Sequence, residues 1–145
     1  MTYTARANHK RGQSNSPAQI TGPQDIDALI LELSTDDGDN TIAGIYINER
    51  PATAQGLPDH ELRIAIDGER KVGAIRYMSG DDAWYAVGQK SNLDEVLYFY
   101  MGHDEQYPQD SEITLDEIRT ATNEFLASGG ERPMSPTWSE WPPHL

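Results

Sequence analysis

Residues 41–87 hold several short runs of alternating apolar and polar side chains, separated by turn signals and with no helical period between them. This order constrains the fold more than anything else in the chain. Strands that follow one another through tight turns pair antiparallel, because a parallel return needs a crossover of a dozen or more residues. Residues 41–47 set Ala43, Ile45 and Ile47 on one side and Ile42, Gly44 and Tyr46 on the other. A loop with two prolines follows, and residues 61–66 then set Leu62, Ile64 and Ile66 against Glu61, Arg63 and Ala65, a half-buried pattern. Asp67-Gly68 reads as a hairpin turn that returns the chain along 72–77, and residues 79–82 make the next turn before 83–87. The result is a meander.

Two helical patterns flank it. Residues 23–34 carry Ile26, Leu29, Ile30 and Leu33 as one apolar stripe, with Pro23 suited to the first turn and Asp25 and Asp27 near the positive end of the dipole. Residues 114–128 start with Thr114 and Glu117 at capping-box spacing, repeat Leu115, Ile118, Thr122, Phe125 and Leu126, and stop at Gly129. Residues 96–101, an apolar and aromatic run closed by Gly102, read as a central strand and the spine of the sheet, with 103–110 an acidic loop after it. At the N-terminus, 2–7 reads as an edge strand and 8–22, rich in Gly, Ser and Pro, as a flexible loop. The fold class is α+β: a single domain over residues 1–145, with a mostly antiparallel sheet of five or six strands and two helices packed on one face.

Charge and composition remove several functions. There is no cysteine, so disulfides, thiol nucleophiles and cysteine metal sites are excluded, and a reducing cytosol fits. Net charge is −13; residues 1–20 carry Arg6, Lys10 and Arg11 with no acid, so the other 125 residues hold 8 basic and 24 acidic side chains, a net of −16. Such a body repels polyphosphate, and no direct nucleic-acid partner is expected. No run approaches the ~20 apolar residues that cross a bilayer, and the start lacks the apolar core of a secretory signal. The expectation is a cytoplasmic protein with no membrane partner.

The polar clusters then have to be weighed. Three aspartates around Gly38 in the 35–40 turn suggest calcium, but the terminal glutamate of a calcium loop is missing and a solvated turn is the better reading. His103, Asp104, Glu105, Tyr107 and Asp110 form the one concentrated polar stretch, and a histidine beside carboxylates suits acid–base or metal chemistry. Neighbours in a loop rarely converge, and the metalloprotease, phosphate-loop and nucleophile-elbow motifs are all missing. No catalytic residue, metal or cofactor is assigned, and an enzyme at 103–110 stays as the alternative. A protein that binds a basic partner fits the charge better, with Asp104, Glu105 and Asp110 steering the encounter and Tyr107 and Trp141 as anchors. Trp84 and Trp138 read as core.

One resemblance adds to this. Tyr98-Phe99-Tyr100-Met101-Gly102-His103, the Tyr107-Pro108 pair, the helix ending in Phe125-Leu126-Ala127-Ser128-Gly129-Gly130, and then Pro133 and Trp138 resemble the Imm1 family of bacterial immunity proteins. The resemblance implies an α+β fold and an antitoxin that binds and neutralises a cognate toxin domain encoded beside it. Charge complementarity points to a toxin with a basic surface, a nuclease or nucleic-acid deaminase, occluded at its active site. The site residues come from the charge argument and not from the resemblance. An interaction domain with no toxin is the third reading, and oligomeric state is open.

Overall fold

The longest pairing in the molecule joins β4 (His60–Asp67) to β5 (Val72–Ser79), in register from His60 opposite Ser79 to Asp67 opposite Val72. Ile64 and Ile66 of β4 and Val72 and Ile75 of β5 favour these strands, since branched side chains suit a pleated surface. The connecting turn spans 68–71 and is longer than the Asp67-Gly68 pair suggests, with the positive φ at Lys71 (57°). Gly68 is needed for space: a Cβ there would lie 1.9 Å from the Ser34 carbonyl oxygen, so the turn abuts the end of the first helix.

The computed structural model describes residues 2–13, 16–36 and 38–145; Asp37 of the 35–40 turn and residues 14–15 of the N-terminal loop lie outside them. Around the central pair are β1 (Ala5–Asn8), β2 (Ala18–Ile20), β3 (Ile42–Ile47), β6 (Asp82–Ala86) and β10 (Trp138–Glu140). Their order across the sheet is β10-β6-β5-β4-β3-β1-β2, and β9 (Ile113–Thr114) pairs with β5 off this path. These eight strands pair antiparallel throughout. The count exceeds five or six because β2, β9 and β10 have two or three residues each, too few to show a period.

Two expectations about position are overturned. The N-terminal strand β1 is not an edge, because β2, inside the expected loop, covers it. The aromatic run is not the spine: β7 (Val96–Tyr100) pairs with β8 (His103–Tyr107) in a separate two-stranded sheet. It lies against the main sheet as a second layer, with Val96, Tyr98 and Tyr107 buried against Ile42, Ala65 and Ala74.

The helices α1 (Pro23–Ser34) and α2 (Leu115–Ser128) cover the other face. Their stripes pack on Ala43, Ile45 and Ile47 of β3, Leu62, Ile64 and Ile66 of β4, and Ile75 and Tyr77 of β5. Trp84 and Trp138 pack at the rim of this core. The capping box of α2 is formed in both directions, between the Thr114 hydroxyl and the Glu117 N–H and between the Glu117 carboxylate and the Thr114 N–H, each at 3.1 Å. At its other end Gly129 and Gly130 both have positive φ (74° and 99°), and the Gly130 N–H donates to the Phe125 carbonyl. Among the described residues no helix is long and apolar enough to cross a membrane.

Candidate functional site

The 103–110 stretch is half strand. Met101 (φ 52°) and Gly102 (φ 84°) are both left-handed, the geometry of a type I′ turn, which matches the natural twist of two antiparallel strands. The Arg11 guanidinium donates to the Met101 carbonyl at 3.0 Å and the Gly102 N–H to the Asp39 carbonyl at 2.8 Å, so the turn is held from outside. Along one edge, Thr41 and Phe99 exchange two hydrogen bonds, N–H to carbonyl at 2.9 Å and N–H to hydroxyl at 2.8 Å.

Strand alternation then splits the hairpin into two faces. Val96, Tyr98 and Tyr107 turn inward onto Ile42, Ala65 and Ala74. Glu105, opposite Tyr98, follows them inward and ion-pairs with Arg63. Leu97 opposite Gln106 and Phe99 opposite Asp104 turn outward. Asp104 and Gln106 are exposed, Leu97 and Phe99 half-buried.

The inward face meets charge. Arg63 donates Nε to Glu61 at 3.0 Å and lies 4.4 Å above the Tyr100 ring. The Tyr46 hydroxyl donates to Glu61 as well. Glu61 is only 4% exposed. Burial raises the pKa of Tyr46, and the Glu61 charge raises it further, so the phenol stays a donor. Arg63 stays charged despite burial, because Glu61 and Glu105 hold its pKa up. A second cation, Arg76, stacks 4.1 Å over Trp141.

The five expected partner-binding residues therefore separate. Asp104 is exposed and available. Glu105 is held beneath the hairpin by Arg63. Asp110 lies in the turn after β8 and accepts a hydrogen bond from the Tyr85 hydroxyl at 2.8 Å. Trp141, half-buried, is fixed by its backbone N–H on Ala83 and by edge contacts with Tyr85 and Tyr107, at centroid distances of 6.2 and 5.2 Å. Tyr107 is a correction: at 1% exposure it is no surface anchor, because inward alternation in β8 drives it under Trp141 and against Tyr98. Burial raises its hydroxyl's pKa. His103 is exposed at the turn, while the neighbouring Asp104 and Glu105 point to opposite faces. Among the described residues, no group of three or more His, Asp or Glu side chains is placed to hold a metal ion.

The charge reading missed Glu61, Arg63 and Arg76, the polar face of the meander. A signal was present: Tyr98 and Tyr100 alternate on one strand and need a cover. Also missed were Leu97 and Phe99, hidden in a run with no polar members.

The family model for immunity protein Imm1 matches residues 14–140, most of the chain. The chain belongs to the Imm1 family of immunity proteins. No curated protein matches it.

Proposed function

We propose that this chain neutralises a cognate toxin domain by occupying the toxin's substrate cleft, and that the toxin acts on nucleic acid as a nuclease or deaminase. Family membership supplies the role of an immunity protein. The observation that carries the rest is the outward face of the β7–β8 hairpin, where exposed Asp104 and Gln106 flank Leu97 and Phe99 on a chain of net charge −13. A cleft that handles phosphates must carry positive potential, so an acidic face with an apolar centre suits it in both charge and contact.

Asp104 steers the encounter, with Asp110 and the Arg63-bound Glu105 adding to the field from behind. Trp141 is the aromatic anchor at the margin, and Tyr107 supports it from below. Inhibition is by occupancy, in the cytosol of the producing cell, without chemistry. The interface would bury about 1,600 Å².

Co-expression with the toxin domain encoded beside the gene tests this, read as rescued growth and co-purification. With the purified pair, the association rate should fall steeply as salt rises. Asp104→Lys should slow association about tenfold while leaving the melting temperature unchanged, because Asp104 makes no side-chain hydrogen bond or ion pair among the described residues. An on-rate indifferent to both salt and Asp104→Lys would remove the hairpin from the interface.

A further inference from the structure

Where the C-terminal end of α1, the β4–β5 turn and β7 meet, the surface sinks into a cleft of about 530 Å³. Its walls combine carboxylates with apolar and aromatic carbon: Asp36, Asp67 and Glu69 with Leu33, Leu97 and Phe99. Among the described residues, no lysine or arginine lines it. Arg70, next along the turn, is drawn aside by a two-pronged pair with Glu112, at 2.5 and 2.9 Å, and approaches Asp67 only at 3.6 Å. Glu69 is exposed and makes no ion pair among the described residues. Asp36 stays ionised: burial works against its charge, but N–H groups of Asn40, Gly38 and Asp39 donate to its carboxylate and hold its pKa below the usual range.

A second observation is independent of these acids. Tyr98 also lines the cleft, is 4% exposed, and its hydroxyl has no hydrogen-bond partner among the described residues. That hydroxyl lies within electrostatic reach of Asp67. A buried phenol beside a carboxylate wall needs a partner that a ligand can supply.

We propose that this cleft receives one arginine side chain of the bound toxin, a deepening that rests on the immunity reading above. Guanidinium is the matching group. It is planar, weakly hydrated and always charged, so its flat face can lie on the apolar carbon of the walls while its N–H groups reach Asp67 and Glu69 above the buried Tyr98 oxygen. Lysine, a compact and strongly hydrated charge, gains less from such walls. The cleft adjoins the outward hairpin face through Leu97 and Phe99, so one partner can cover both. An arginine that holds phosphate in the toxin would be sequestered here.

The isotope-labelled full chain is titrated with N-acetyl-L-arginine methylamide and, in parallel, with the lysine analogue, following backbone amide shifts. Shifts at Gly68, Glu69 and Phe99 that are larger for arginine and absent in Glu69→Gln are expected. In complex with the neighbouring toxin domain, Glu69→Gln combined with Asp67→Asn should raise Kd at least about tenfold. Tyr98→Phe keeps the ring and should weaken binding several-fold. Glu69→Gln alone guards against misfolding, since Glu69 is exposed and makes no ion pair among the described residues, and Asn at 67 keeps an acceptor for the Arg70 N–H. If the wild-type complex forms and these variants bind equally well, with no arginine-dependent shifts, the cleft proposal is overturned and the immunity reading stands. If no complex forms at all, the immunity reading fails, and the free-arginine titration still decides whether the cleft takes a guanidinium.

Discussion

On its helix side the sheet meets Ile26, Leu29, Ile30, Leu33, Ile118 and Phe125, carbon against carbon. On its hairpin side the same strands meet Glu61, Arg63, Glu105, Tyr46 and Tyr100 in a half-buried ionic and aromatic cluster, with a smaller apolar patch at Ala65, Ala74 and Val96. The two interfaces differ in what they can do. Apolar packing is non-directional and stabilises in proportion to area. A buried ion pair adds little net stability over carbon of the same shape, but it fixes where its partners sit. The helix side makes the domain stable, and the hairpin side sets the hairpin's seat.

The largest test of that contrast is Phe125→Ala, which should cost about 3–5 kcal/mol in urea unfolding, since the ring is fully buried between His60 and Tyr77. Arg63→Ala should cost about 3 kcal/mol, because Glu61 is left buried without its cation. Replacing Arg63, Glu61 and Glu105 together by Met or Leu should recover most of that loss, within about 1 kcal/mol, and still weaken toxin binding by loosening the hairpin. If the triple variant were as unstable as Arg63→Ala, the cluster would stabilise outright and the contrast would break.

A smaller effect comes from His60, an ionisable ring on the helix side. His60 Nε2 accepts the Ile47 N–H at 2.9 Å while Nδ1–H donates to Asp59 at 2.8 Å, so the ring is neutral. Burial lowers its pKa and Arg50 and Arg6 add to that, against the opposing pull of Asp59. With the folded pKa below the unfolded 6.5, the contribution is complete above that pH and is lost as pH falls below it. Thermal melts between about pH 7.5 and about pH 5 should show a steeper fall for the wild type than for His60→Asn. Parallel curves would mean the ring titrates alike in both states. The smallest expected change is Tyr107→Phe. Its hydroxyl is buried without a partner among the described residues, so removal should alter stability by less than about 1 kcal/mol or raise it. A loss above about 2 kcal/mol would reveal a bound water or other partner there.

Legibility in the sequence followed the same divide. The helix side could be read because each element carried its own period: Pro23 and the Ile26–Leu33 stripe give α1 its observed bounds, and Thr114 with Glu117 marks the start of α2. The meander's inward residues were read correctly for the same reason. The hairpin side could not be read, because periodicity says which residues share a face and is silent about what covers that face. Glu61 and Arg63 look like solvent residues until a second layer is laid on them. Strand β8, His103–Tyr107, looks like a loop because its only apolar member is Tyr107. The turn was hidden too, since Met is an unfavourable residue for the left-handed conformation Met101 adopts. Of the expected residues, the exposure of Asp104 was legible from its charge alone; the burial of Tyr107 was not, because its direction depends on a strand that the composition disguised.

The alternation of β7 and β8 has a practical consequence for engineering. Val96, Tyr98, Glu105 and Tyr107 grip the scaffold, whereas Leu97, Phe99, Asp104 and Gln106, one step along each strand, point away from it. A combinatorial library confined to those last four positions should therefore yield variants that recognise different targets while keeping the parent's foldability. Specificity would be rewritten on a palette insulated from the frame that carries it.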